Sequence, residues 1–406
     1  MTTSTPPAQR QYFLDWLRIL AFALLVPYHV GMYYVSWDWH VKSAELHPGL
    51  EIWMQLSSPW RMGLLFLIAG AASSLLMQRQ PTGFLRSRSK RLLWPLLFGM
   101  LVIVPPQAYY EVVTKVAYAG SYLDFMQLYL QAYKGFCRGT DCLILPTWNH
   151  LWFLPYLWVY SLMGWALLRL WPRWSEGCAA WLGRHGSAVT LLLVLALPLM
   201  AARGLVGLFP GTHNLVWDWY NHAQYLPLFL TGLLLAQSSF WELAQRHRWA
   251  ASGLAVLAWA LVMLYFHHYR EAAPPEALRW VQRALYGAMQ WWCLVALCGH
   301  ARQHLNVEHR WRAALTSAVF CVYILHQTVI VLLTRLLLPL GLPAAIEGPL
   351  LIVLCFALCA VGYVLARRVP GLRLLLGISS SGRTDPGGLS GAASHRTRPA
   401  RHQTSG

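Results

Sequence analysis

Membrane-length apolar segments recur along almost the whole chain, and this recurrence constrains the fold more than any other feature. Windows of roughly 20 apolar residues give about ten candidate helices. They cover residues 14–35, 52–77, 92–113, 151–170, 188–208, 225–241, 250–267, 280–299, 314–338 and 350–366. Pro27, Pro155 and Pro227 fall inside three of them, which membrane helices tolerate when neighbours satisfy the freed carbonyls. The expected fold class is all-α, a polytopic membrane helical bundle of about ten transmembrane helices. Composition agrees, because 57% hydrophobic and 12% charged residues are too apolar and too charge-poor for a soluble chain of 406 residues.

Loop charges orient the bundle. With the N-terminus inside, the inward loops hold Arg79, Arg86, Arg88, Lys90 and Arg91, then Arg169, Arg173 and Arg184, then Arg246 and Arg248, then Arg302, Arg310 and Arg312, and last an Arg-rich tail. The outward loops hold fewer, among them Lys42, Lys115, Lys134, Arg138, Arg270 and Arg279. This bias predicts both termini in the cytoplasm. It also explains the net charge of +17 without nucleic acid, for which no basic stripe with interleaved aromatics is present. The segments expected are a cytoplasmic N-terminal stretch at 1–11, a transmembrane domain at 12–378 and a disordered cytoplasmic tail at 379–406. Residues 1–12 lack the features of a cleavable signal, so the first helix is expected to stay as an anchor.

Most cysteines lie in helical windows and read as small buried apolar residues. Cys137 and Cys142 lie instead in an outward loop, as CRGTDC. They form either a bridge or two free thiols, and no comparable ligand pair accompanies them to make a metal site.

The first window carries Asp15, Arg18 and His29, groups that are expensive in hydrocarbon unless they are paired or face a wet cavity. Arg18 and His29 are eleven residues apart, roughly 16 Å along a helix and about 20° from superposition around it. One helix face therefore carries a fixed cation towards the inner side and a titratable base towards the outer side. The structural alternative is a snorkelling Arg18 and a hydrogen-bonded core His29. Asp15 is expected to pair with Arg18 or with the lipid interface rather than to take part in chemistry. Arg61, in the next window, presents a guanidinium fork suited to an anionic group near His29; its structural alternative is a pairing with Glu45 or Glu51. Arg86, Arg88, Lys90 and Arg91 place four basic residues in six positions, either a topology signal or a docking place where Arg88 and Arg91 bind the phosphates of a nucleotide. His150 and His326 are further candidates, each equally consistent with a structural histidine. For a carboxylate to orient His29, Asp38, Glu45 and Glu111 are available, and none is preferred.

Four motifs in this order resemble the acyltransferase 3 family of integral membrane O-acyltransferases. They are Arg18 to His29 with ten residues between, Arg88 and Arg91 followed by LLWP, His150 opening HLWFL, and YILHQ at 323–327. The segment 12–45, with WRMGLLFLIAG and HLWFLPYLWV, is most similar to the branch that succinylates periplasmic glucans. The resemblance covers about residues 12–370 and leaves out the tail. It implies transfer of an acyl group, succinyl or acetyl, from cytosolic acyl-CoA to a hydroxyl of an extracytoplasmic glycan, by a multi-pass protein of the cell inner membrane and without a metal. It also implies that His29 is the essential histidine and Arg18 its basic partner. Arg88 and Arg91 become the donor-binding pair, and Arg61, His150 and His326 candidate substrate contacts. The competing class is a secondary transporter or flippase of a glycan or an anionic small molecule. Broken helices and intramembrane charges suit that class too, but no half-to-half symmetry is apparent.

Overall fold

The computed structural model describes residues 11–378, so the expected tail at 379–406 lies outside the described residues. Almost every element is helical. Among the described residues, seven helices are long and apolar enough to cross a membrane, or up to nine if each of two bent pairs is one span. About ten were expected. The difference lies in the window at 280–299, which is helical within Glu276–His304. That helix runs through the bundle interior and buries Gln282 and Gln290, so its length suffices while its hydropathy falls short.

Three of the breaks in the helices follow from missing backbone donors at prolines, and at several breaks neighbouring side chains take up freed carbonyls. Pro27 has no N–H to offer the carbonyl of Ala23, and the first span divides there into Tyr12–Ala23 and Leu25–Tyr34. Pro105 and Pro106 divide another span, with a π-helical turn at Gly99–Ile103 followed by Pro105–Lys115 at a bend of 42°. The carbonyls left over at this break accept from Tyr129 Oη, at Met100 O (2.8 Å), and from Thr328 Oγ1, at Ile103 O (2.6 Å). Where the chain tightens after Ala188–Leu192 and meets Pro198, the indoles of Trp291 and Trp292 donate to Leu191 O and Leu192 O at 2.6 and 2.7 Å. Trp241 Nε1 likewise caps Ala236 O (2.9 Å) at the 106° bend between Trp219–Leu235 and Phe240–Arg246. In an apolar medium an unpaired carbonyl costs several kcal/mol, so each donor is part of what permits the break.

Small residues set the closest approach of two helices. A Cβ added at Gly70 would lie 2.0 Å from Phe229 O, and one at Gly232 would lie 1.9 Å from Leu67 O. The backbones of Arg61–Arg79 and Trp219–Leu235 therefore touch with no side chain between them.

At one end of the bundle lies a loop structure absent from the other elements. Cys137 and Cys142 are disulfide-bonded, which resolves the two readings of that pair. They close a two-residue antiparallel ladder in which Arg138 faces Asp141. Beside it, the loop before Trp219 holds His213, Leu215 and Trp217 at φ of +56°, +69° and +65°, a conformation unfavourable for L side chains. Asp218 stabilises it. Its buried carboxylate accepts from the backbone N–H of Thr212 (3.0 Å) and His213 (2.9 Å), from Asn221 Nδ2 (2.9 Å) and from Tyr156 Oη.

Candidate active site

The break at Pro27 places His29 on the short helix Leu25–Tyr34, against His326 of Arg312–Leu337. His29 Nδ1 and His326 Nε2 are 2.9 Å apart, and His326 Nδ1 is 2.7 Å from the carbonyl of Tyr323. A carbonyl only accepts, so His326 Nδ1 carries a proton and the neutral ring presents a bare Nε2. That nitrogen accepts from His29 Nδ1–H. His29 is thereby fixed in the tautomer whose Nε2 bears the lone pair. His326 is buried, whereas His29 is half-buried with Trp39 parallel to it at 6.4 Å.

Among the described residues, no carboxylate orients His29. Of the acids weighed from sequence, Glu111 accepts from His40 Nδ1 at 2.5 Å and from Lys115 Nζ at 2.9 Å, and Asp38 accepts from the same Lys115 at 2.8 Å. A buried imidazole held by a backbone carbonyl takes the position where a carboxylate was sought.

His150 stands perpendicular to His326 with ring centroids 5.2 Å apart. Both its ring nitrogens are engaged within the protein, Nε2 donating to Ile324 O (3.1 Å) and Nδ1 accepting from Gln107 Nε2 (3.4 Å). Gln107 also donates to Thr328 Oγ1 (2.6 Å), while its carbonyl accepts from Gln327 Nε2 (3.0 Å) and Asn149 Nδ2 (3.2 Å). Gln327 donates in addition to His40 Nε2 at 2.7 Å. One hydrogen-bonded network thus runs from Glu111 through His40, Gln327 and Gln107 to His150. A fully satisfied buried network of this kind rigidifies its surroundings.

Arg61 pairs with neither Glu45 nor Glu51; Glu51 accepts instead from Ser36 N (3.0 Å) and Ser36 Oγ (2.5 Å). The Arg61 guanidinium lies over the Tyr28 ring at 3.3 Å, next to His29 in the chain, and its charge acts on both His29 and His326. Among the described residues, its buried Nε and Nη1 have no hydrogen-bond partner. Arg203, which the sequence reading passed over, lies 3.9 Å from the Tyr286 ring and donates to Tyr220 Oη, and its buried Nε also lacks a partner. Arg61, Arg203 and the tyrosines at 28, 220, 225 and 286 interact electrostatically as one cluster.

Towards the other end, Arg18 does pair with Asp15, at 3.3 Å, and Asp15 bridges on to Arg312 at 2.6 Å. Arg18, Arg79, Arg88 and Arg91 line one cavity of about 310 Å³, and no carboxylate is among its lining residues. Arg88 Nε donates to Ser161 Oγ (3.0 Å), leaving Arg88 Nη2 and Arg18 Nε buried without hydrogen-bond partners among the described residues. Four guanidinium groups around a void have the charge and fork geometry that suit a polyanion. Phe22 and Phe153 also line this cavity. Their rings lie 5.1 and 6.2 Å from Tyr323, whose own carbonyl holds His326. One aromatic layer therefore separates the arginine cavity from the histidine pair.

The structure brings together His29, His326, His150 and Arg61 at one end, and Arg18, Arg88 and Arg91 at the other. Sequence reading missed His40, Gln107, Gln327 and Arg203. Gln107 and Gln327 had a usable signal, since each is an amide in or beside an apolar window and so needs partners.

Comparison with known proteins bears on this arrangement. "Glucans biosynthesis protein C" of Escherichia coli strain SMS-3-5 / SECEC is 36% identical to this chain over 102 residues, which is 25% of this chain and 26% of that protein. The protein of the same name from Escherichia coli strain K12 is 35% identical over the same length and shares. The chain thus matches about a quarter of the length of these relatives. No solved structure matches. Residues 11–367 match the family described as an acyltransferase domain, nearly the whole span that forms both the histidine pair and the arginine cavity, and the chain belongs to that family.

Proposed function

We propose that the protein is a membrane O-acyltransferase that moves an acyl group, succinyl or acetyl, from acyl-CoA at the Arg88 end to a hydroxyl of a glycan, a periplasmic glucan, at the His29 end. The observation that carries this reading is a histidine whose free nitrogen is fixed by a buried partner and which stands one aromatic layer from an arginine-lined cavity. Arg18, Arg88 and Arg91 hold the phosphates of the donor, and the pantetheine arm passes the layer formed by Phe22, Phe153 and Tyr323. His29 Nε2 accepts the acceptor's hydroxyl proton as its oxygen attacks the thioester carbonyl. The carbon–sulfur bond then breaks, and the proton passes from His29 to the leaving thiolate. His326 holds His29 in the required tautomer, and His150 braces His326 through the Ile324 carbonyl. Arg61, with Arg203 beside it, meets the far carboxylate of a succinyl group, or the oxyanion when the group is acetyl. The loop charges support a cytoplasmic Arg88 end, and the cell inner membrane is the location that goes with this reading.

The test uses purified protein in vesicles with labelled acyl-CoA and an oligosaccharide. The parental protein transfers label to sugar, and His29→Ala, inserted and monodisperse, loses about 100-fold or more in kcat. Transfer by that variant at the parental rate removes His29 from the chemistry. Sugar crossing the bilayer without thioester consumption identifies a carrier instead.

A further inference from the structure

A second, larger cavity opens at the His29 end, with a volume of about 750 Å³, within the range of small-molecule sites. Its chemistry is the opposite of the arginine cavity. Asp38, Glu111 and Lys115 line it already joined to one another. Arg138 and Asp141 line it as facing partners of the disulfide-closed ladder. The wall thus carries three carboxylates and two cations, with Lys115 joined to two of the carboxylates and Arg138 opposite the third in the ladder. A polyanion would meet the excess of carboxylates, and a polycation would have to compete with Lys115 for them. A polyhydroxyl ligand adds to these pairs, because a paired carboxylate keeps lone pairs for O–H donors. Trp148 supplies an apolar wall, and its ring is fixed because Nε1 donates to His213 O at 2.8 Å. His29 is linked to the cavity wall through two intervening residues, since the wall residue Glu111 holds His40, whose ring lies 5.6 Å from Trp39, and Trp39 lies parallel to His29.

We infer that this cavity is the acceptor subsite, that it takes an uncharged oligosaccharide, and that the Cys137–Cys142 hairpin is one of its walls. The inference rests on the acyl-transfer reading for its place in the reaction. Its binding test stands apart from that reading.

Equilibrium binding of a fluorescently labelled neutral glucose hexasaccharide to the purified full-length protein is measured beside its sulfated analogue. The neutral sugar binds and the sulfated one binds at least tenfold more weakly. Trp148→Ala weakens neutral-sugar binding about 10-fold, and Cys137→Ser with Cys142→Ser, which frees the hairpin, weakens it as well. Trp53→Ala, at an exposed tryptophan outside the cavity, leaves it unchanged. Preference for the sulfated sugar, or neutral-sugar binding unaffected by both cavity variants, overturns the inference. In transfer assays the Trp148 variant shows a raised acceptor KM with kcat retained. Cavity-dependent binding without any transfer refutes the reaction and leaves the subsite standing, whereas transfer with unaltered acceptor binding and KM refutes the subsite.

Discussion

The carbonyl of Tyr323 can only accept, so His326 must turn a bare nitrogen towards His29, and a ring that touches no solvent sets the tautomer of the proposed base. Two expectations separate this positioning role from a packing role. His326→Leu keeps bulk but removes the acceptor, leaving His29 Nδ1–H unpaired, and kcat falls about 10-fold. His326→Gln offers an amide oxygen near the position of Nε2 and recovers most of the loss. Initial rates on monodisperse protein decide the matter; equal losses in the two variants mean that His326 only fills space. Both histidines are visible in sequence, because an ionisable group in an apolar window needs a reason. Their contact is not, because 297 residues separate them and no local period links one to the other. The same limit explains the search for a carboxylate beside His29. Neighbouring positions offered acids, while the actual partner comes from a distant helix.

At the scale of the helices, the packing of Arg61–Arg79 on Trp219–Leu235 carries two candidate groups at once, since Arg61 begins one helix and Asp218 precedes the other. Gly70→Leu or Gly232→Leu forces a side chain between backbones that touch, at a cost of about 1–3 kcal/mol. Thermal unfolding in detergent then shows a lowered midpoint, with Gly253→Leu, which faces open space, as the control that leaves it in place. The helical windows are legible because the bilayer imposes a length and an apolar composition. The break at Pro27 is legible for the same kind of reason, a missing donor, whereas Pro155 and Pro227, read the same way, lie within the unbroken helices Phe153–Leu170 and Trp219–Leu235. The 106° bend is not legible. It follows Leu235 without a proline, and is made by Ser238, whose hydroxyl donates to Leu235 O and accepts from Phe240 N, a local bond that competes with helix wherever serine occurs.

The whole molecule sets two cavities of different chemistry on either side of the histidine pair, one lined by arginines and one lined by carboxylates and cations together. Direction is the remaining variable, and loop charge favours one choice of it. Impermeant maleimide is expected to label Lys134→Cys in intact spheroplasts and Arg86→Cys only after lysis, with both sites exposed; the reverse pattern inverts the proposed direction of transfer. The single carboxylate of Asp218 has a bearing on the mixed-charge cavity, because the loop it holds contributes Thr212, His213 and Asn214 to the wall. Burial alone would raise the pKa of Asp218, but bonds from Tyr156, Asn221 and the Thr212 N–H outweigh burial and hold it below the ordinary aspartate value. A depressed value means that its stabilisation is complete above the unfolded-chain pKa and is lost only as pH falls through the lower, folded one. Acidification of the surroundings to about pH 5 stays above both. That part of the cavity is therefore acid-tolerant, and mildly sour surroundings leave this wall standing.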